Sequence, residues 1–261
     1  MTRRRLDAEL VRRHLARSRE TARELIEQGA VRVAGITATK PATMVDESVS
    51  ITLTAGDDFV SRGAHKLLGA LDTFDIDVAG LTALDAGAST GGFTDVLLRR
   101  GVARVACVDV GYGQLAWKVS QDPRVTQIDR TNVRSLTPGD VGGPVDLVVA
   151  DLSFISLTTV LPALAGVLAP GGQMLLMVKP QFEVGRHALG SGGVVTDPDA
   201  RAQAVMTVAT AAHAQGLGTH GVVASPLPGP AGNVEYFLWL SRAGDAPQWQ
   251  QVARAVEEGP A

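Results

Sequence analysis

Along the first 56 residues, apolar positions recur twice at helical spacing and then at strand spacing. Leu6, Leu10 and Val11 share one face of a first predicted helix, and Ala22, Leu25 and Ile26 one face of a second, which Ser18 is placed to cap and Gly29 to end. Short strands are expected at VRV (31–33) and within VSITL (49–53), with a turn at Ala34 and Gly35 and with Pro41 confined to the connection. Residues 54–60, TAGDDFV, read as a linker, and the helical stretch GAHKLLGALDTF follows. From residue 82 the rhythm changes: the apolar runs LTALDAG, VARVACVD, VTQID, VDLVVAD and QMLLMVK alternate with helical segments that start at Gly91, pass through Trp117 and start at Ser156. Such alternation predicts a parallel sheet with helices on both faces. After a helix over 199–215, GVVAS and VEYFLWLS lie too close together for a helical crossover, so the last strand is expected to run antiparallel.

The fold class expected is therefore α/β, a Rossmann-like, mostly parallel sheet preceded by a small N-terminal α+β domain. Its divisions fall at residues 1–56, a linker 57–62, a main domain 63–245 and a C-terminal tail 246–261. Composition is that of an ordinary globular protein, 45% hydrophobic and 20% charged. The single cysteine, Cys107, excludes a disulfide framework or a cysteine metal cluster and reads as a small core residue. No apolar run approaches the ~18 residues of a membrane span, since VLPALAGVLAPGG is stopped by Pro170, Gly171 and Gly172; a cytoplasmic protein is expected. The five histidines show no metal-ligand spacing, and no metal is assigned.

Charge is uneven. Residues 1–56 carry 10 Lys and Arg against 7 Asp and Glu, and the remainder 14 against 20. A basic head on an acidic body suggests an anionic partner at the head. Arg19 and Arg23 share a helix face, with Arg3 to Arg5, Arg12, Arg13 and Arg17 nearby. Their charge alone reads equally as a solvated face interleaved with Glu20, Glu24 and Glu27 or as a nucleic-acid patch.

The turn after the first strand of the main domain reads Gly87-Ala88-Ser89-Thr90-Gly91-Gly92, which fails the dinucleotide pattern at its second glycine and has no Walker lysine. Asp85 at the strand end repels a phosphate and suits an amino group. Asp109, ending the next strand, suits ribose hydroxyls, and Asp129, ending the third, a base edge. An amine, a ribose, an adenine and no phosphate describe S-adenosylmethionine, held by these three carboxylates with Gly87, Ser89, Thr90, Gly91, Gly92 and Phe93. The structural alternative makes Asp85 a helix cap and Asp109 part of the tight turn DVGYG.

Ligands of open α/β sheets bind at the carboxyl ends of the strands. Asp151 and Lys179 end strands there, Glu235 opens an antiparallel strand on the same edge, and Lys66 reaches it from the preceding helix. Bland roles compete: Asp151 as a helix cap, Lys179 snorkelling, Glu235 paired with any neighbour. Methyl transfer needs an acceptor aligned with the sulfonium methyl and a group for the acceptor's proton. A lysine near a second cation gives up its proton more readily, while carboxylates oppose this and fix orientation. Enzymes that methylate base amines commonly carry Asn/Asp-Pro-Pro-aromatic after the fourth strand; here the sequence is DLSF, which favours a ribose hydroxyl. The loop EVGRHALGSGGVVTD (183–197) reads as a lid or an ordinary mobile loop, and PLPGP as a restraint on Glu235.

Two resemblances carry these readings further. RLDAELVRRHLARSRETARELIEQGAVRVAGITATKP closely resembles the alpha-L RNA-binding motif, with Ala34 where that turn usually carries Asn. It implies RNA contact through Arg4, Arg5, Arg17, Arg19 and Arg23. VSRGAHKL, LDAGASTGGFTD, VDVGYGQLAW, VVADLSFISL, VKPQFEVG and SPLPGPAGNVEYFLWL together resemble the TlyA-type proteins, also called the hemolysin A family, over nearly the whole chain. That resemblance implies a domain similar to the FtsJ/RrmJ methyltransferases, with S-adenosylmethionine as cofactor and ribosomal RNA, in ribosomal subunits, as partner. It implies 2'-O-methylation of cytidine in 16S or 23S RNA and a catalytic tetrad of Lys66, Asp151, Lys179 and Glu235. The linker departs from the family, with Asp57, Asp58 and Phe59 in place of a more basic, aromatic stretch. The rivals are a membrane-active cytolysin, which needs membrane-active segments the sequence does not display, and an RNA-binding factor without catalysis, which calorimetry with the cofactor distinguishes.

Overall fold

The computed structural model describes residues 3–16, 18–27, 29–53, 59–185 and 189–259, apart from the side chain of Ser191. Arg17, Asp57, Asp58 and residues 186–188 of the expected lid lie outside them. The chain divides into two compact units, residues 1–62 and 63–261.

The first unit runs β1 (Arg3–Arg5), α1 (Leu6–Arg12), α2 (Arg19–Glu27), β2 (Val31–Val33), β3 (Ile36–Thr37), β4 (Met44–Asp46) and β5 (Ile51–Leu53). Leu6 and Leu10 of α1 and Ala22 and Ile26 of α2 close a small core over Val31, Val45 and Ile51. Ser18 Oγ accepts the Thr21 N–H at 3.1 Å, capping α2, and Gly29 leaves the helix with φ of +72°. Ala34 and Gly35, both at positive φ, form the two-residue turn between β2 and β3. The pairing of β1 with β4 lies outside the sequence reading. RRR carries no hydrophobic alternation, and its partner lies some forty residues on.

The second unit contains α3 (Gly63–Phe74), β6 (Thr82–Ala86), α4 (Gly92–Arg99), β7 (Arg104–Val108), α5 (Trp117–Ser120), β8 (Val125–Ile128), β9 (Val145–Ala150), α6 (Leu157–Val167), β10 (Leu168–Val178), α7 (Pro180–Glu183), α8 (Pro198–Ala214), β11 (Gly218–Ala224), β12 (Tyr236–Ser241) and α9 (Trp249–Glu257). Seven strands form one sheet in the order β11-β12-β10-β9-β6-β7-β8. β12 runs antiparallel to both neighbours, as the short β11–β12 connection requires, and the remaining pairs are parallel. The Rossmann-like, mostly parallel sheet expected from the alternating pattern is thus the observed one.

Three details differ from the pattern-based reading. The helix through Trp117 is a single turn with Trp117 exposed, because no apolar stripe extends it. β10 begins at Leu168 and is irregular up to Gln173, with Gly171 at positive φ. Residues 246–261, expected as a tail, contain α9, whose Val252 and Val256, at i, i+4, pack into the main core. That core lies between β9, β10 and β12 and helices α6 and α8, with Leu164, Leu176, Val205 and Leu238 fully buried.

Truncating Leu176 at the centre of the sheet leaves a cavity that the paired strands cannot close. Leu176→Ala is expected to cost about 2–5 kcal/mol in urea denaturation.

Candidate active site

The sheet register brings distant residues to one rim. Ala86 lies opposite Ala150, Ala150 opposite Leu176, and Val178 opposite Tyr236. The next positions, Gly87, Asp151, Lys179 and Glu235, therefore share the edge where the parallel strands end. The turn after β6 approaches the chain after β9 so closely that a Cβ on Gly87 would stand 2.7 Å from the Asp151 carbonyl oxygen, and its φ of +85° favours glycine independently.

Two ion pairs occupy this rim. Lys66 Nζ of α3 donates to Glu235 Oε2 at 2.5 Å, and both side chains are buried. Lys179 Nζ lies 2.5 Å from Asp151 Oδ1 and donates to Ser153 Oγ at 3.0 Å. The contact with Asp151 is ionic rather than an aligned hydrogen bond. All four charged residues gathered from sequence are brought together, each lysine against its own carboxylate. Of the bland alternatives, the cap of α6 is Ser156 and not Asp151, whereas Glu235 is indeed paired with a neighbour, Lys66. Gly229 of the PLPGP segment gives Glu235 its room, since a Cβ there would meet Glu235 Oε1 at 2.7 Å. Of the expected lid, the backbone at 193–195 is held by Asn233, whose Oδ1 accepts the Val195 N–H at 2.9 Å and whose Nδ2 donates to the Gly193 carbonyl at 3.1 Å.

Asp85 is fully buried. Its Oδ2 accepts the Thr94 N–H (3.0 Å) and Oγ–H (2.7 Å), so it does cap α4, while Oδ1 has no hydrogen-bond partner among the described residues. Burial pushes its carboxyl up to about 7, against the Thr94 hydrogen bond, and the nearby Asp151 charge adds to the rise. A buried, unpaired carboxyl oxygen beside a glycine turn fits an ammonium group and opposes a phosphate, so the amine end of the expected cofactor suits this site. Asp109 accepts the Ser89 N–H at 2.9 Å and the Gly111 N–H at 2.7 Å, joining the glycine turn to the DVGYG turn. Asp129 accepts from Gly113 N–H and from Gln127 Nε2, each at 2.9 Å. Ser89 and Thr90 are exposed, Gly91 has a φ of +89° and Gly92 opens α4. Phe93 is 3% exposed and packs on Phe237, with ring centroids 6.0 Å apart. Cys107 is buried in contact with Thr94, and burial raises its thiol out of reactive range.

In the first unit, Arg5 grips Asp7 with two hydrogen bonds of 3.1 Å, Arg19 adds one of 2.8 Å, and Arg23 stands at 3.5 Å. Asp7 is fully buried, and the Arg5 guanidinium, assisted by Arg19, holds its carboxyl well below the usual range. Arg4 stands 3.5 Å from Glu47. Arg19 and Arg23 remain half exposed around an acid that sequence reading had not singled out. Ser153, Thr94 and Glu183, described below, were also missed. Only Asp7 left a signal, its place one residue after a core leucine.

A seven-stranded sheet with one inserted antiparallel strand, a glycine turn after its first strand and carboxylates ending the next strands defines a methyltransferase of the Rossmann-like class. The FtsJ-like methyltransferase family model matches residues 59–242, and the S4 domain model residues 4–51. The chain belongs to the TlyA family of FtsJ-like methyltransferases. The 16S/23S rRNA (cytidine-2'-O)-methyltransferase TlyA of Mycobacterium tuberculosis (strain ATCC 25618 / H37Rv) is 58% identical over 263 residues, 98% of each chain. YqxC of Bacillus subtilis (strain 168) is 40% identical over 261 residues, covering 97% of this chain and 93% of its own. A solved structure from Streptococcus thermophilus, described there as a hemolysin, is 36% identical with a TM-score of 0.77, covering 99% of this chain and 96% of its own. No helix among the described residues is long and apolar enough to cross a membrane.

The raised Asp85 carboxyl makes stability pH-dependent. Below about pH 4 it is protonated folded or unfolded; between about 4 and 7 the folded chain keeps a proton that the unfolded chain releases. Stability therefore falls as pH rises through that window, and the penalty is complete above 7. Asp85→Asn is expected to gain on the wild type in urea denaturation as pH rises from 4.5 to 8; a pH-independent difference would contradict this.

Proposed function

We propose that this protein transfers the methyl group of S-adenosylmethionine to a cytidine ribose 2'-hydroxyl in ribosomal RNA, with the first unit docking on the RNA. The single observation that carries the reading is the pair of lysine–carboxylate contacts at the strand rim beside the unpaired Asp85 oxygen. S-adenosylmethionine, when bound, supplies an electrophilic sulfonium methyl. Asp85 would hold the cofactor's ammonium end, and Asp109 and Asp129, already fixed by backbone N–H groups, would hold its ribose and base.

For the acceptor, the chain supplies orientation and proton handling. Lys179, drawn to Asp151 and Ser153, takes the proton of the 2'-hydroxyl as the free amine: it first passes one proton to solvent, against the pull of Asp151, and ends as the ammonium that Asp151 holds while the hydroxyl oxygen bonds to the methyl. Lys66 and Glu235, the pair whose acid is buried, form the fixed wall against which the ribose is aligned. The DLSF segment places Ser153 and an exposed Phe154, rather than an amine-recognising proline pair, beside this site. Ribosomal RNA as substrate places the reaction in the cytoplasm.

The first unit contributes positive charge on a rigid base. Arg5, Arg19 and Arg23 around one buried carboxylate leave net positive charge facing outward, suited to phosphates.

Lys179→Ala is expected to lower transfer of tritiated methyl to ribosomal subunits by at least about 10²-fold while calorimetric binding of S-adenosylmethionine persists. Full activity would remove the mechanism, and loss of cofactor binding by the wild type would leave an RNA-binding factor. Charge reversal of Arg19 and Arg23 to Glu is expected to weaken RNA binding and to flatten its log–log salt dependence by about two units; an unchanged slope would return both arginines to a solvated face.

A further inference from the structure

We infer that Glu183 is a positioning residue for the Lys179–Asp151 pair, its carboxylate strapping the turn after β10 to the segment after β9. The inference rests on the proposed chemistry only where methyl transfer is the readout. Glu183 Oε2 accepts the Ser156 Oγ–H at 2.5 Å, and Oε1 accepts the Leu157 N–H at 2.8 Å. Ser156 is already the N-cap of α6, its Oγ accepting the Thr158 N–H at 3.2 Å. A capping box completes such a cap with Glu or Gln three residues on, but that position is Thr159. The acid comes instead from 27 residues downstream, on a different strand exit. What would be a local helix device has become a crosslink between two segments.

Those two segments carry the open half of the rim. Between Asp151 and Leu157 lie Ser153 and Phe154; between Lys179 and Glu183 lies Phe182. They meet at Lys179 with Asp151 and Ser153, at Phe154 with Phe182 (ring centroids 5.2 Å apart), and at Glu183 with Ser156 and Leu157. The first contact must adjust while a proton is exchanged, and the second joins an exposed ring held at a φ of +62°. The third is half-buried and doubly hydrogen-bonded at a helix N-terminus; burial raises its carboxyl above the usual range, and the bonds from Ser156 and Leu157 work against that rise. Glu183 is therefore the contact that keeps the spacing while the others work.

Full-length Glu183→Ala and Glu183→Gln distinguish the possibilities. A glutamine still accepts the Leu157 N–H and donates to Ser156 Oγ, so it preserves the strap without the charge. Acetylation by an N-hydroxysuccinimide ester, read by peptide mass spectrometry, is expected to proceed at least fivefold faster at Lys179 in Glu183→Ala, with Lys66 unchanged and Glu183→Gln close to wild type. Single-turnover methyl transfer is expected to fall at least tenfold in Glu183→Ala and less than threefold in Glu183→Gln, with the cofactor dissociation constant within twofold throughout. Unchanged Lys179 labelling in Glu183→Ala would overturn the inference. So would a glutamine variant as impaired as the alanine one, which would assign the effect to charge, or faster labelling of Lys66 and Lys179 alike, which would assign it to lost folding. The labelling arm does not use methyl transfer, so an inactive wild type would remove the proposed function and leave the strap standing.

Discussion

A lysine ammonium withdrawn from water needs a counter-charge inside the protein, and Lys66 finds one in Glu235, 169 residues further along the chain. The contact requires α3 to lie against the sheet and β12 to enter between β10 and β11, so that Glu235 opens at the end where the parallel strands finish. Removing either partner would strand the other as a buried, unpaired charge. The Lys179–Asp151 pair obeys the same rule with a more exposed acid; Gly87 marks where backbone approaches too closely for a side chain, and Gly229 where a side chain would run into the Glu235 carboxylate.

Much of this was legible in the sequence because it rests on local regularities. Alternating apolar runs and helical segments revealed the sheet, and the short interval between GVVAS and VEYFLWLS revealed its reversed strand. Strand-end charges revealed the rim, since a strand end fixes on which edge a residue must sit. The partners were not legible. Nothing in the spacing says that Glu235 belongs to Lys66 and Asp151 to Lys179, or that Thr94 shares Asp85, because these contacts depend on side-chain reach across elements. Glu183 was hidden for the same reason: it acts on a helix that begins 26 residues before it.

The first unit shows the limit of reading charge by composition. Glu20, Glu24 and Glu27, the acids interleaved with Arg19 and Arg23 on α2, are exposed, whereas the arginines turn to Asp7 on α1. A buried acid surrounded by arginines is cheaper than a buried acid alone, and it fixes guanidinium groups that would otherwise spend entropy on being placed. Glu9 does the same for Arg12 and Arg13, at 2.6 and 2.7 Å. Two acids thus organise five basic side chains without cancelling the charge they present.

The insertion of β12 also orders events during synthesis. β10 and β11 leave the ribosome before the strand that joins them, so each holds an unpaired edge until residues 236–241 emerge. Glu235 arrives with that strand, which means the nascent chain displays a lysine without its acid and a rim without its last wall. The ion pair that ties α3 to the strand rim therefore closes late, after the six other strands of this sheet have been made.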